Sequence, residues 1–329
     1  MFYRKIFLFY CLFYHYLQAD SIYFPQDFSA IKKDNFESQF QINIDSSIYQ
    51  TKAQQIGPTT VESTIQKDIK DSVVTTSQIP IIPNGTVFIA ITNEKNPEKL
   101  HIGKKTFEWL KHPVDSTKKI AFVGINYYAK PNVIFLNNTI QIRIIQGNYR
   151  REKITIKDTS KTKPNKATSD RIASELKEVN RIYTTYEKNR YWNKPFGYPL
   201  KNMNITSPYG SARVFNDEVK SYHGGTDLRA SIGTSIYAIN DGVVVIAKDR
   251  FLAGKSVVIS HGQGIFSMYY HCSDIKVRVG QKVKQGELIA LSGDTGRVSA
   301  PHLHFGMLVN GVQIDAMRFI NDINKLFEK

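Results

Sequence analysis

The chain has few cysteines, no long apolar run and a shortage of negative charge. Of its 329 residues only Cys11 and Cys272 are cysteines. If the N-terminal segment is removed, one thiol remains and no internal disulfide can staple the fold. That leaves export open and excludes only a disulfide framework. No apolar stretch approaches the ~20 residues that a membrane span needs. Lys and Arg number 44 against 29 Asp and Glu, a formal charge of +15. Such a surface suits anionic partners such as nucleic acid, anionic lipid or an acidic polymer, or it is simply a solvated lysine-rich exterior. No RNA-recognition, zinc-finger or helix-turn-helix pattern accompanies the charge, which argues against nucleic acid. Aromatic residues are absent from Gln54 to Ser77.

What is present divides the chain into five stretches. Residues 1–19 read as a signal peptide. Arg4 and Lys5 start it, Ile6 to Tyr14 is apolar, and Leu17-Gln18-Ala19 offers a cleavage point before Asp20. An uncleaved anchor is the competing reading. Phe9-Tyr10-Cys11 lacks the small residues expected before a lipidated cysteine. Residues 20–77 form a polar N-terminal extension, either a free arm or a segment packed on a later domain.

Residues 78–157 predict an Ig-like β-sandwich. Strands are expected at Gly85–Ile91, Lys119–Val123, Val133–Leu136, Ile140–Ile145 and Lys153–Ile156, with Pro, Gly and Asn turns between them. His101, Trp109 and His112 lie there without ligand-like spacing. Residues 158–195 read as a linker and a connecting helix. Ser169 or Asp170 is expected to cap it, and Ile172, Leu176, Val179, Tyr183 and Tyr186 to form its apolar stripe. Residues 196–329 predict a mainly antiparallel β domain with a final helix starting at Asp315. The fold class is therefore mainly β.

The chemistry gathers in two short motifs, His223-Gly224-Gly225-Thr226-Asp227 and Pro301-His302-Leu303-His304-Phe305. A catalytic zinc needs about three protein ligands and an open position. His223, Asp227 and His304 supply that number. Gly224-Gly225 speaks against a helix between the first two and for a glycine turn entering a strand. His271 and His302 remain as groups that can move a proton or steady an oxyanion beside the metal. A lone His-x-His or His-x-x-x-Asp is weak by itself.

Taken together, Ser207 to Val309 resembles the lysostaphin-type (LytM-like) zinc metallopeptidases, which cut peptidoglycan cross-links. The resemblance rests on Ser207-Pro208-Tyr209-Gly210 with Arg213, His223-Gly224-Gly225-Thr226-Asp227, Val258 to Gly262, Tyr269-Tyr270-His271, Val279 to Gly286, Gly293 to Gly296 and Pro301 to His304, in the family's order. It implies one Zn²⁺ per catalytic domain held by His223, Asp227 and His304, with His271 and His302 as catalytic histidines. His261 matches a family position and is expected to be structural. Cys272 is expected to be a small buried residue, and Ala300 stands where the family has Gly.

The implied activity is endopeptidase cleavage of peptidoglycan stem-peptide cross-links, at the D-alanyl-diaminopimelate bond. The alternatives are a non-enzymatic regulator of other wall hydrolases and a wall-binding module. Peptidoglycan is the implied partner, and an exported protein of the periplasm or cell envelope is the implied setting. Intramolecular inhibition by the N-terminal region is a further expectation.

Overall fold

A computed structural model of the chain describes residues 79–137, 140–153, 165–215, 218–298 and 300–328. The expected signal peptide and extension lie outside the described residues. The first strands are β1 (Ile81–Pro83), β2 (Val87–Thr92), a hairpin of β3 (Leu100–Ile102) and β4 (Lys105–Phe107), β5 (Leu110–Lys111) and β6 (Lys119–Gly124). They are followed by β7 (Asn132–Leu136), β8 (Ile140–Ile145) and β9 (Arg151–Lys153). One sheet has the order β1-β8-β7, the other β2-β6-β5. Their apolar faces meet over Ala90, Ala121, Val123, Leu136 and Ile142, with the hairpin contributing Leu100 and Phe107.

Strand β6 is buried along four successive residues, Ile120 to Val123. Alternate side chains of a strand point to opposite faces. Ala121 and Val123 enter the sandwich core. Ile120 and Phe122 enter a second, larger core shared with the rest of the protein. Strand β9 likewise leaves the sandwich and pairs in parallel with β11 (Ala212–Phe215). Of the expected strand at Lys153–Ile156, Lys153 belongs to β9, and residues 154–156 lie outside the described ones.

Helix α1 spans Lys166–Tyr183. Its cap is Asn165, not Ser169 or Asp170: the Asn165 side chain accepts from the Thr168 amide, as an N-cap does toward the third helical residue. Asp170 instead pairs with Lys166 one turn back. Ile172, Val179 and Tyr183 are buried as expected. Tyr186 is not part of the stripe; the helix ends at Tyr183 and Tyr186 is exposed.

The remaining elements are β10 (Ile205–Ser207), β11, β12 (Glu218–Tyr222), β13 (Thr226–Leu228), β14 (Ser235–Tyr237), β15 (Gly242–Arg250) and β16 (Gly254–Gly262). After them come β17 (Ile265–Ile275), β18 (Lys282–Val283), β19 (Leu288–Ser292), β20 (Leu303–Val309), β21 (Val312–Ile314) and α2 (Ala316–Asn324). The main sheet runs β10-β13-β20-β17-β16-β15-β18, and its neighbouring strands are antiparallel. Asp315 caps α2 as anticipated, accepting from the Met317 and Arg318 amides.

One face of the sheet, with Val257, Ile259, Tyr269, Leu303, Phe305 and Met307, packs on α2 and on Phe122 and Trp192. The other face carries Val258, Phe266, Met268, Tyr270 and Leu308 and is covered by Val179 and Tyr183 of α1. Phe122 and Trp192 meet edge to face at 6.1 Å between ring centroids. The Asn310 amide donates to the Phe122 carbonyl at 2.8 Å, and the Asp315 N–H to the Gly85 carbonyl at 2.8 Å.

A core that runs without interruption from sandwich to C-terminal domain ties their stabilities together. Calorimetry is expected to give one transition spanning both parts. Phe122→Ala, which truncates a buried aromatic, should destabilise it by about 3–5 kcal/mol. Two separated transitions, with only one of them moved by the substitution, would contradict a shared core.

Candidate metal and catalytic site

The centre of the site is set by strand register. In the β13–β20 pair Asp227 stands opposite His304, and in the β17–β20 pair Tyr270 stands opposite His304. Residues opposite each other across a ladder share a face. Asp227, His304 and Tyr270 therefore form one row, and the Tyr270 ring lies parallel to the His304 ring at 5.5 Å.

His223 arrives from the end of β12 through Gly224-Gly225. A Cβ on Gly225 would lie 2.5 Å from His304 Nε2 and 2.8 Å from the Phe305 carbonyl. One on Gly224 would lie 2.6 Å from the Gln313 amide. Only glycine lets the chain pass this close to β20.

His223 Nε2, His304 Nδ1 and Asp227 Oδ1 converge. The separations are 3.0 Å between the two nitrogens, 3.0 Å from His223 to Asp227 and 2.9 Å from His304 to Asp227. All three residues are buried. Among the described residues this is the one group of three His, Cys, Asp or Glu side chains whose ligand atoms cluster within 4.8 Å.

The other ring nitrogen of His223 lies 3.1 Å from the Pro208 carbonyl and 3.3 Å from Ser207 Oγ. A carbonyl only accepts, so Nδ1 carries the hydrogen and Nε2 presents a lone pair. One proton on His304 Nδ1 can satisfy Asp227 or His223 but not both fully. A divalent cation satisfies all three, and two imidazoles with a carboxylate suit zinc in donor type and number. Burial pushes the Asp227 carboxyl up, but the two imidazoles beside it, His223 and His304, outweigh burial and hold it well below the usual carboxylate range.

Two further imidazoles face this centre. His302 Nε2 is 3.5 Å from Asp227 Oδ1, and the His271 and His302 ring centroids are 5.1 Å apart. His271 Nδ1–H donates to the Thr295 carbonyl at 2.9 Å, and His302 Nδ1–H to the Ala300 carbonyl at 2.8 Å. Both Nε2 atoms are left bare, buried and without a hydrogen-bond partner. Burial, with the neighbouring His304, pushes the His271 imidazole down to about 3. It is neutral near neutral pH, with its Nε2 lone pair facing the centre.

The structure thus brings together His223, Asp227, His271, His302 and His304. His302 sits just before β20 and is held by a bridge to Gly293 rather than by the strand itself. His261 is elsewhere: it is fully buried, with Nδ1 2.8 Å from the Asp241 carbonyl and Nε2 2.8 Å from Ser267 Oγ. Cys272 is buried outside the group, its thiol pushed up to about 12 by burial. Sequence reasoning overlooked Tyr270, Thr295 and the Pro208 carbonyl as supports. The first two sit inside the quoted motifs. The third is a backbone atom, to which a motif of side chains gives no pointer.

Antiparallel strands with a buried His/Asp/His cluster beside two bare imidazoles define a metal-peptidase architecture. Residues 221–316 match peptidase family M23, and this part of the chain is an M23 domain of the LytM type. It is 48% identical over 96 residues to the peptidoglycan DD-endopeptidase ShyA of Vibrio cholerae, covering 29% of this chain and 22% of that protein. It is 33% identical over 117 residues to the DD-carboxypeptidase/endopeptidase Mpg of Neisseria meningitidis, covering 36% of this chain and 27% of that one. The matched part thus spans only about a quarter of the length of these relatives. A Pseudomonas aeruginosa crystal structure assigned to peptidase M23 aligns at 25% identity and a TM-score of 0.55, over 74% of this chain and 94% of its own. That coverage exceeds what the C-terminal domain can supply and reaches into the sandwich.

Two outcomes follow from the geometry. Gly225→Ala is expected to keep the far-ultraviolet circular dichroism of the parent and to bind zinc at least tenfold more weakly in chelator competition, because the added methyl displaces His304. Equal affinity would mean that His304 does not meet the metal. The second concerns acid stability without metal. Burial holds the His261 imidazole at about 4 against 6.5 unfolded. Between those values the unfolded chain carries a proton that the folded one lacks. Stability is full above about pH 6.5 and falls as pH drops toward 4, by about 3 kcal/mol from this residue. His271 acts in the same direction. Urea unfolding of metal-free protein should show this slope, and His261→Gln should be shallower by about one proton.

Proposed function

We propose that this chain is a zinc-dependent endopeptidase that cleaves peptidoglycan stem-peptide cross-links, at the D-alanyl-diaminopimelate bond, in the periplasm or cell envelope. The observation that carries the proposal is the pairing of a converging His223/Asp227/His304 donor set with two bare Nε2 atoms beside it. The relatives' names, which include peptidoglycan DD-endopeptidase, support the substrate. The excess of positive charge suits an anionic wall polymer.

His223, Asp227 and His304 would hold the ion. Zinc held there supplies Lewis acidity toward a peptide carbonyl and toward water. The protein's own part is proton management. His271 and His302 each tie Nδ1–H to a backbone carbonyl, so each ring is oriented and each Nε2 is available. As water adds to the carbonyl carbon, one Nε2 takes the released proton. That proton goes to the departing amine nitrogen when the C–N bond breaks, giving an amine and a carboxylic acid, whose own proton then passes to solvent. The other ring, when protonated, donates toward the carbonyl oxygen. The two rings share this work at 5.1 Å between centroids.

Purified cross-linked muropeptides, analysed by mass spectrometry, test the proposal. The zinc-loaded protein should convert dimers to monomers with a new diaminopimelate amine, and a chelator should stop it. His304→Ala should lower the rate at least a thousandfold, since it removes both a ligand and its stacking on Tyr270. Release that continues undiminished in His304→Ala would defeat the reading. Binding to sacculi with no new amine would point instead to a non-enzymatic role.

A further inference from the structure

The junction between sandwich and C-terminal domain holds a knot of tyrosines. Tyr127 and Tyr149 come from the sandwich side, Tyr209 and Tyr222 from the other. Tyr127 and Tyr222 stack face to face, 3.9 Å between centroids and 4° from parallel. Tyr149 lies 4.9 Å from Tyr127 and 5.9 Å from Tyr209. Area burial alone would be met by phenylalanine, so the hydroxyls need a separate explanation.

Three of the four hydroxyls grip a backbone carbonyl. Tyr127 donates to Gly210 at 3.0 Å, Tyr209 donates to Gln313 at 3.1 Å, and Tyr149 donates to Asn84. The first of these crosses from the sandwich to the loop Ser207–Ser211. That loop in turn holds His223: Gly210 N–H donates to the His223 carbonyl at 2.8 Å, His223 N–H donates to the Ser211 carbonyl at 2.9 Å, and the Pro208 carbonyl accepts from His223 Nδ1. Gly210 has φ +81°, and a Cβ there would lie 2.2 Å from the Tyr149 ring. The loop is thus pressed against the sandwich by shape and tied to it by the Tyr127 hydroxyl, while the next residue, Ala212, donates its N–H to the Arg150 carbonyl at 2.8 Å.

We propose that Tyr127 is a positioning residue for the metal site: the sandwich domain, through the Tyr127 hydroxyl and the Gly210 loop, fixes the ring of His223 for coordination. This rests on the reading of His223 as a metal ligand. It gives the sandwich a role in the site itself, not only as a neighbouring module. Burial pushes the Tyr127 phenol up to about 12, so it remains a donor throughout the neutral range.

The test uses the full chain and compares Tyr127→Phe with Tyr149→Phe. Both substitutions keep the ring and remove one buried hydroxyl. The Tyr149 hydroxyl bonds Asn84 within the sandwich, so its loss reports the purely structural effect. Zinc affinity is read by competition with a chromophoric chelator, and the His223 Nδ1–H by nitrogen-15 NMR of histidine-labelled protein. Loss of one tether, equivalent to a single net hydrogen bond, should weaken zinc binding by about threefold to tenfold in Tyr127→Phe and leave it within twofold in Tyr149→Phe. The His223 Nδ1 proton should exchange faster only in Tyr127→Phe. Equal zinc affinities in the two variants, or a lowered melting temperature with unchanged affinity in Tyr127→Phe, would overturn the inference. Failure of the parent protein to bind zinc would instead remove the proposed function on which it rests.

Discussion

The site depends on one register, the pairing of Asp227 with His304 across β13 and β20. Side chains alternate faces along a strand, so a slip of one residue would send His304 into the α2 side of the sheet and Phe305 into the site. The apolar pattern opposes that slip. Leu303, Phe305, Met307 and Val309 all enter the large core on the far face. The near face receives His304, Gly306 and Leu308, and Gly306 leaves room for Met268, whose methyl lies 2.7 Å from where a Gly306 Cβ would be. Hydrophobic burial on one side of β20 therefore fixes polar geometry on the other. A short apolar strand does the work of aligning a carboxylate with an imidazole.

The polar row so produced is costly by itself. Buried polar atoms without partners cost on the order of 1–3 kcal/mol each. Three bare imidazole nitrogens, on His271, His302 and His304, lie in the same small region. Large apolar faces above and below offset this cost, and Tyr270 offsets more of it locally. Its ring stacks on His304 on one side and receives the Arg250 guanidinium at 4.5 Å. Its hydroxyl meets that of Tyr183 at 2.9 Å, at the last turn of α1. The connecting helix, which reads in sequence as a plain amphipathic stripe, thus ends on a residue one contact away from the candidate metal site.

Much of the site was legible in the sequence because glycines and histidines cannot be exchanged freely there. His-Gly-Gly-Thr-Asp and Pro-His-Leu-His keep their spacing for the reasons that the register and the missing Cβ atoms make concrete. The supports were less legible. Pro208 acts through a carbonyl, and any residue has one. Asn165 caps α1 although Ser169 and Asp170 looked equally able, because capping depends on which residue leaves helical backbone angles, and that is decided by the preceding chain. The short strands β3, β4 and β5 were missed, since two or three residues carry too little periodicity to register against turns. The division of β6 between two cores was also hidden: Lys119–Gly124 reads as an ordinary buried strand, and only packing shows that Ile120 and Phe122 belong to a neighbour.

His271 shows how such supports bear on chemistry. Its backbone has φ +64°, in the left-handed region that a residue with a Cβ enters at a cost of about 1–2 kcal/mol. Strain of this kind persists only where the surroundings over-determine it. Here the His271 N–H donates to the Ala253 carbonyl at 2.9 Å and the ring to the Thr295 carbonyl. The Thr295 hydroxyl donates to the Cys272 carbonyl at 2.7 Å and accepts from the Lys255 N–H at 2.9 Å. Gly254 and Gly296 let the two loops touch: a Cβ on Gly254 would lie 2.3 Å from the Thr295 carbonyl, and one on Gly296 2.3 Å from the Gly254 nitrogen. A relaxed residue at this point would continue the strand and carry the imidazole away from His302. The left-handed step is what turns the ring toward it, and a loop contact too close for any side chain is what holds the step in place.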